Sequence, residues 1–392
     1  MAVLFQGVNS AGALDYVAAW FLKAAQLMQS AVVKTAFVST NSITQGEQVG
    51  ILWNELLTKY HVKIQFAHRT FKWSNEARGN ANVFCVIVGF GLQEPNPAVL
   101  NDYATPRSEA QRRKVSHINP YLIDAEDVVV SNRSKPLSAV PPMLWGSKPT
   151  DGGHLILSDE EKEELVATEP EATKFIRQYV GAQEFIHNQR RWCLWLVDAS
   201  PADLKALPNV RQRVEAVRRF RLQSVAASTR DFAIFPTLFR QRAQPTTDYL
   251  IVPLVSSESR RYIPIGFMSP TVVASNLCSL IPNATLYLFG IITSEMHMAW
   301  MRQVCGRLKS DFRYSGTLVY NNFPFPTAPP LSKLPPSKPP HKQCWQRGPS
   351  FRRRAWLPST TRSRCRRRWC APTPPSTVLW MPATAPLPSP PN

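Results

Sequence analysis

Residues 83–90 read V-F-C-V-I-V-G-F. A run this short and this uniformly apolar has no wet face, so it predicts a strand covered on both sides by other elements. The preceding residues supply the cover. Leu14, Val17, Ala18, Phe21, Leu22 and Ala25 fall at i, i+3, i+4, i+7, i+8 and i+11, the stripe of an amphipathic helix over 14–29. T-A-F-V-S-T at 35–40 reads as a buried strand, 48–57 as a second helix and 63–67 as another strand. Helix and strand alternate, which predicts an α/β sheet for residues 1–95.

Past Gly91 the character changes. Residues 96–117 are polar and charged and read as a linker. A second, α+β domain is expected over 118–301, with short strands at 127–130, 192–197, 249–255 and 284–290 and a basic helix at 210–224. Residues 302–326 open a further helical region. The stretch 327–392 holds 16 of the 35 prolines and one glycine, and disorder is expected there.

Charge bounds the partners. The net +19 would suggest a polyanion, but nine Arg, three Lys and no acid in 327–392 account for +12 of it, leaving +7 for residues 1–326. Seven cysteines without C-x-x-C pairs or zinc-spaced histidines predict reduced thiols in a cytoplasmic protein and no metal site. The N-terminus lacks a basic n-region. The most apolar stretch, 271–301, is broken by Asn276, Pro282, Asn283 and Glu295, so no membrane segment is expected.

One placement is odd. Phe71 and Trp73 sit in R-T-F-K-W-S-N-E-A-R-G-N, polar sequence just ahead of the apolar run. Rings there either cap a sheet edge as packing or form a stacking platform. Ser39, Thr40 and Asn41 close a strand at its carboxyl end, where α/β sheets bind ligands, although turn chemistry explains the same residues. Asp15 is equally a first-turn helix charge. In the basic helix, Arg211, Arg213, Arg218, Arg219 and Arg221 read as a solvated face or as phosphate contacts.

L-D-Y-V-A-A-W-F and A-F-V-S-T-N-S-I-T-Q-G-E-Q-V, followed by I-N-P-Y-L-I-D, D-G-G-H-L-I-L-S, R-R-W-C-L-W-L, V-S-S-E-S-R-R-Y-I-P-I-G-F and V-Y-N-N-F-P-F-P, occur here in one order between Leu14 and Pro326. In that order they resemble S-adenosylmethionine-dependent adenine-N6 DNA methyltransferases of the MmeI-like, type IIL restriction-modification group. The resemblance implies the second half of a Rossmann-like catalytic sheet, motifs V to VIII, followed by a target-recognition domain acting on double-stranded DNA. It implies that Phe71, or else Trp73, stacks on an adenine extruded from the duplex, with Asn75, Glu76 and Arg78 shaping the loop. Asp15, Tyr16 and Asn41 would approach S-adenosylmethionine. Arg133, Lys135, Arg190, Arg191, Arg211, Arg218, Arg221, Arg240, Arg242, Arg260 and Arg261 would contact phosphates or guanine edges.

Two family motifs have no match. No N-P-P-[YF] occurs, Asn119-Pro120-Tyr121 lacking one proline, and G-F-G-L-Q-E-P at 89–95 does not open a helix as a cofactor loop would. The reading is therefore a fragment that begins at an internal methionine, without catalytic residues of its own, weak for S-adenosylmethionine and inactive alone. The alternatives are a DNA-binding module without chemistry and a subunit completed by a separate chain. A weaker rival is an unrelated α/β scaffold whose basic tail binds RNA or a membrane surface. Shifting the reading frame of the tail by one base permits L-A-A-L-Y-D-P and an Ala-rich helix, which resemble the family's continuation. A frameshift near Lys333 is the expectation for 327–392.

Overall fold

A computed structural model of the chain describes residues 3–73 and 83–326. Asn75, Glu76, Arg78 and the Pro- and Arg-rich stretch 327–392 lie outside the described residues.

The first sheet has five strands: β1 (Thr35–Thr40), β2 (Lys63–Trp73), β3 (Val83–Gly91), β4 (Ala98–Tyr103) and β5 (Ala110–Val115), in the order β1-β3-β2-β4-β5. The apolar run is β3, central and antiparallel to both neighbours, with Val88 opposite Phe37 on one side and Ala67 on the other. Helix Ala18–Met28 covers one face. It starts at Ala18 rather than at 14, so Leu14 and the half-buried Val17 precede it, while Ala18, Phe21, Leu22 and Ala25 of the predicted stripe are buried. Phe21 stacks on Phe90 at 5.3 Å and meets Phe37 edge-on at 5.1 Å. A second helix runs without a break through Gly46–Gln48, a π turn at Val49–Trp53, and Asn54–Thr58. Trp53 is fully buried, and its indole N–H donates to the Ile43 carbonyl at 2.8 Å. That bond ties the helix to the loop after β1.

Four sequence expectations change. The 96–117 linker is instead β4 and β5: Ala98 and Leu100 face the core, and β4 runs parallel to β2. Its polarity misled because A-Q-R-R-K-V is an edge strand exposed except at Val115, and charge is the usual protection of an edge. Residues 127–130 form no strand; the Val130 N–H instead donates to the Tyr121 hydroxyl at 3.2 Å. The strand expected at 284–290 is a helix, Leu286–Ile292, because the Thr285 hydroxyl caps it by accepting from the Leu288 N–H at 3.2 Å. The strand expected at 63–67 runs on to Trp73, so Phe71 and Trp73 lie in β2 rather than in a loop.

Short sheets follow. One orders Gly266–Met268, Tyr249–Pro253, Cys278–Pro282 and Leu144–Trp145; another orders Val273–Ala274, Ile176–Val180, Trp192–Leu194 and Ile156–Leu157. The basic helix, Pro208–Leu222, buries Val210, Val214 and Val217 in a separate small core with Leu194, Trp195 and Phe239. The main core is continuous from Phe21 through Val252 and Met298 to Tyr314 and Phe325. Both halves of the described chain therefore share one interior.

His297 lies inside that core, fully buried. Its Nε2 is 2.8 Å from the Tyr314 hydroxyl, and its ring meets Phe323 edge-on at 4.5 Å. Burial lowers its pKa to about 4. The folded state thus holds His297 neutral at pH values where the unfolded chain protonates it. Its contribution to stability is complete above about pH 6.5 and is lost as pH falls toward 4, amounting to about 2 kcal/mol at pH 5. Urea unfolding at pH 7.5 and pH 5 checks this: His297→Asn should shrink the difference between the two pH values, and an equal difference in both proteins contradicts it.

Candidate functional site

β1 ends at Ser39 and Thr40, and the chain turns through Asn41–Thr44 into the helix that starts at Gly46. Facing this loop is a short hairpin, Gly306–Leu308 paired with Asp311–Arg313. The two approach so closely that a Cβ on Gly46 would lie 2.9 Å from the Gly306 Cα, and Gly46 has φ +60°. Only glycine meets both demands without strain.

Around this contact lies a groove. A cavity of about 840 Å³ is lined by Thr40, Asn41, Lys72, Phe84, Arg107, Glu258 and Lys309. A second, of about 490 Å³, is lined by Gln48, Trp145, Arg307 and Arg313 among others. A third, of about 160 Å³, joins Thr70 and Phe84 to Arg307. Asn41 and Lys309 line all three, which makes them compartments of one groove. Lys72, Arg107, Arg307, Lys309 and Arg313 outnumber Glu47 and Glu258 along its walls, so the groove favours an anion.

The structure distributes the sequence candidates unevenly. Asn41 is in the groove. Asp15 is exposed beside it, its Oδ2 accepting from the Ser42 hydroxyl at 2.6 Å and from the Gln48 amide at 2.9 Å, while Tyr16 is 73% exposed. Asp15 and Tyr16 line none of the three compartments. The Phe71 ring packs 5.5 Å from Tyr103 and 6.5 Å from His68, with Trp73 at 6.4 Å. Register explains why: Phe71 pairs with Cys85 on one face of the sheet, whereas Lys72 pairs with Phe84 on the face that lines the groove. Phe84 was hidden from sequence reading inside the apolar run. Lys309 and Arg307 sit in the hairpin and were not among the site residues expected from sequence.

Among the basic candidates, Arg133, Lys135, Arg190, Arg211, Arg218, Arg242 and Arg261 are exposed and Arg260 is half-buried. Arg191 is held by Glu184 at 3.1 Å and lies over the Tyr179 ring, and Arg240 donates to the Ser228 carbonyl. Arg261 pairs with Glu295 at 3.2 Å. Arg221 needs correction. It is fully buried and donates to the carbonyls of Pro149, Thr150, Phe235 and Leu238 at 2.7–2.9 Å, so it braces the fold and cannot reach a ligand. Among the described residues no cluster of His, Cys, Asp or Glu could hold a metal, and no helix is long and apolar enough to cross a membrane.

The fold and groove define a mixed α/β protein with a cationic cleft at the carboxyl end of a sheet strand. Comparison with known proteins gives the family. Residues 1–102 match the MmeI DNA-methyltransferase domain and residues 124–327 match the MmeI target recognition domain. DNA methyltransferase A of Bacillus subtilis (strain 168) is 42% identical over 326 residues, covering 83% of this chain and 36% of that protein. The solved structure of MmeI, a type IIL restriction-modification enzyme in complex with DNA, is 47% identical with a TM-score of 0.78, covering 84% of this chain and 44% of that one. The chain belongs to the MmeI family of DNA methyltransferases, and it spans less than half the length of these two relatives.

Proposed function

We propose that the chain supplies the DNA-reading domain and one wall of the cleft of a site-specific methyltransferase. The complete enzyme would move a methyl group from S-adenosylmethionine to adenine N6 in duplex DNA, in the cytoplasm, as part of a restriction-modification system. The observation that carries this reading is the cationic groove at the end of β1, walled on its far side by a hairpin within the target-recognition match. Lys72, Arg107 and Lys309 would hold the strand by its phosphates. An adenine swung out of the duplex loses a few kcal/mol of stacking and pairing, and an aromatic platform returns about 1–3 kcal/mol. Phe84, which lines the groove, is the proposed platform there, whereas Phe71 and Trp73 line no compartment of the groove and stay proposed only for a base that reaches the other face of β2. Arg133, Lys135, Arg190, Arg191, Arg211, Arg218, Arg240, Arg242, Arg260 and Arg261 are the proposed reading and positioning residues.

S-adenosylmethionine supplies the activated methyl group in such enzymes. Asn41 faces the groove, but no described cavity encloses Asp15, Tyr16 and Asn41 together, so these residues alone do not form its binding site. The sequence also has no N-P-P-[YF] tetrapeptide to orient the adenine amine. A second reading has the chain as the DNA-binding subunit of a split enzyme, with a separate polypeptide carrying that motif.

Two assays with the purified 392-residue chain test the proposal. Sequencing duplexes retained from a random library should reveal one enriched, adenine-containing site, and retention without enrichment would contradict a reading domain. Tritiated S-adenosylmethionine with the same duplexes should give no labelled DNA, and transfer of label would overturn the inactivity of the isolated chain.

A further inference from the structure

Arg307 is an unusual cation. Its guanidinium carbon lies 4.0 Å from the centre of the Phe312 ring, which fixes its plane, and one terminal nitrogen donates to the Ser310 carbonyl at 2.8 Å. The nearest carboxylate, Glu258, comes only to 4.0 Å. Its Nε is buried without a hydrogen-bond partner, and burial pulls its pKa below the usual arginine value. A buried donor left unmatched is costly, and an anion that reached this half-buried guanidinium would offset that cost.

Besides lining the groove, Arg307 faces a polar cavity of about 230 Å³ shared with Arg69, Arg302, Thr70, Gln45 and Gln303. Asp102 is the one acidic lining residue, and both its oxygens are engaged, Oδ1 by Arg69 and Oδ2 by Arg113, each at 2.9 Å. Arg302 is partly engaged, through Glu295 at 3.2 Å and the Arg261 carbonyl at 2.6 Å. The cavity is therefore net positive and rich in donors. Its size suits a tetrahedral anion with attendant water, which occupies about 30 Å³ per molecule. Guanidinium forks match a phosphate's paired oxygens, and the Thr70 hydroxyl and the two glutamine amides suit an anion with more than two acceptors.

We propose that this cavity is a phosphate site, with the half-buried Arg307 as its anchor and Arg69 and Arg302 beside it. It accepts a phosphate carried either by the DNA backbone or by a small molecule. Only the DNA source rests on the function proposed above.

The test compares the full chain with Arg307→Gln and Arg302→Gln. In inorganic phosphate, against chloride at matched ionic strength, the unaltered chain should show a saturable rise in Tm that both variants lose. Duplex affinity across salt concentrations then identifies the source: a salt slope smaller by about 1 in Arg307→Gln assigns the phosphate to DNA, and an unchanged slope assigns it to a small molecule. No saturable rise in the unaltered chain, or the same rise in Arg307→Gln, overturns the site. If Arg307→Gln does not fold, Arg302→Gln carries the test, and a full rise in that variant overturns the site.

Discussion

Arg221→Met is expected to destabilise the protein by about 4 kcal/mol. Hydrogen bonds to a charged donor contribute about 1.5–3 kcal/mol each, and a buried acceptor left unmatched costs about 1–3 kcal/mol. These terms do not add fully, because four carbonyls share one guanidinium and the neighbouring loops relax. The bonds link helix Pro208–Leu222 to residues 149–150 on one side and 235–238 on the other, so the loss falls on the small core behind the helix. Methionine fills much of the space but donates nothing. Arg221→Lys should recover part of the loss, since an ammonium has donors but lacks the planar fork. Arg211→Met, on an exposed turn of the same helix, should change stability by less than about 0.5 kcal/mol. Urea denaturation of the three variants separates the possibilities: a stable Arg221→Met protein with weakened DNA binding would restore Arg221 to the ligand-contacting set.

Gly46→Ala should cost about 3 kcal/mol. Part is backbone strain, about 1–2 kcal/mol for a Cβ in the left-handed region, and the rest is collision with the Gly306 backbone, which has no flexible side chain to move aside. Gly153, at φ +90° with open space around it, isolates the first part, so Gly153→Ala should cost roughly the strain alone. Equal losses in both variants would show that the loop after β1 and the hairpin are not in tight contact, and the groove would lose the wall that shapes it.

The elements of the first sheet were legible where burial imposes a period. The stripe from Leu14 to Ala25 and the run at 83–90 gave a helix and a central strand because each is packed on the side the pattern indicates. The edge strands were misread in different ways. β5 is exposed except at Val115 and its A-Q-R-R-K-V has the composition of a linker, while β1, expected as a buried strand, is an edge strand with Ala36, Val38 and Thr40 exposed. The helix at Leu286–Ile292 escaped because one capping hydroxyl outweighed an apolar composition that suits a strand equally well. Within the site, Asn41 was legible from its place after a strand. Phe84 and Lys72 depend on a cross-strand register that a single sequence does not reveal. Arg221 shows the converse: an arginine on a basic helix looks like its neighbours until the carbonyls around it are known.

Hydrogen exchange of backbone amides in the free chain and in its complex with an enriched duplex would address the cleft directly. DNA seated in the groove should slow exchange at 41–48 and 306–313 together, the two walls that meet at Gly46 and Gly306. Protection limited to the helix Pro208–Leu222, with both walls exchanging as in the free protein, would mean that DNA lies elsewhere and that the groove is not the methyltransferase cleft.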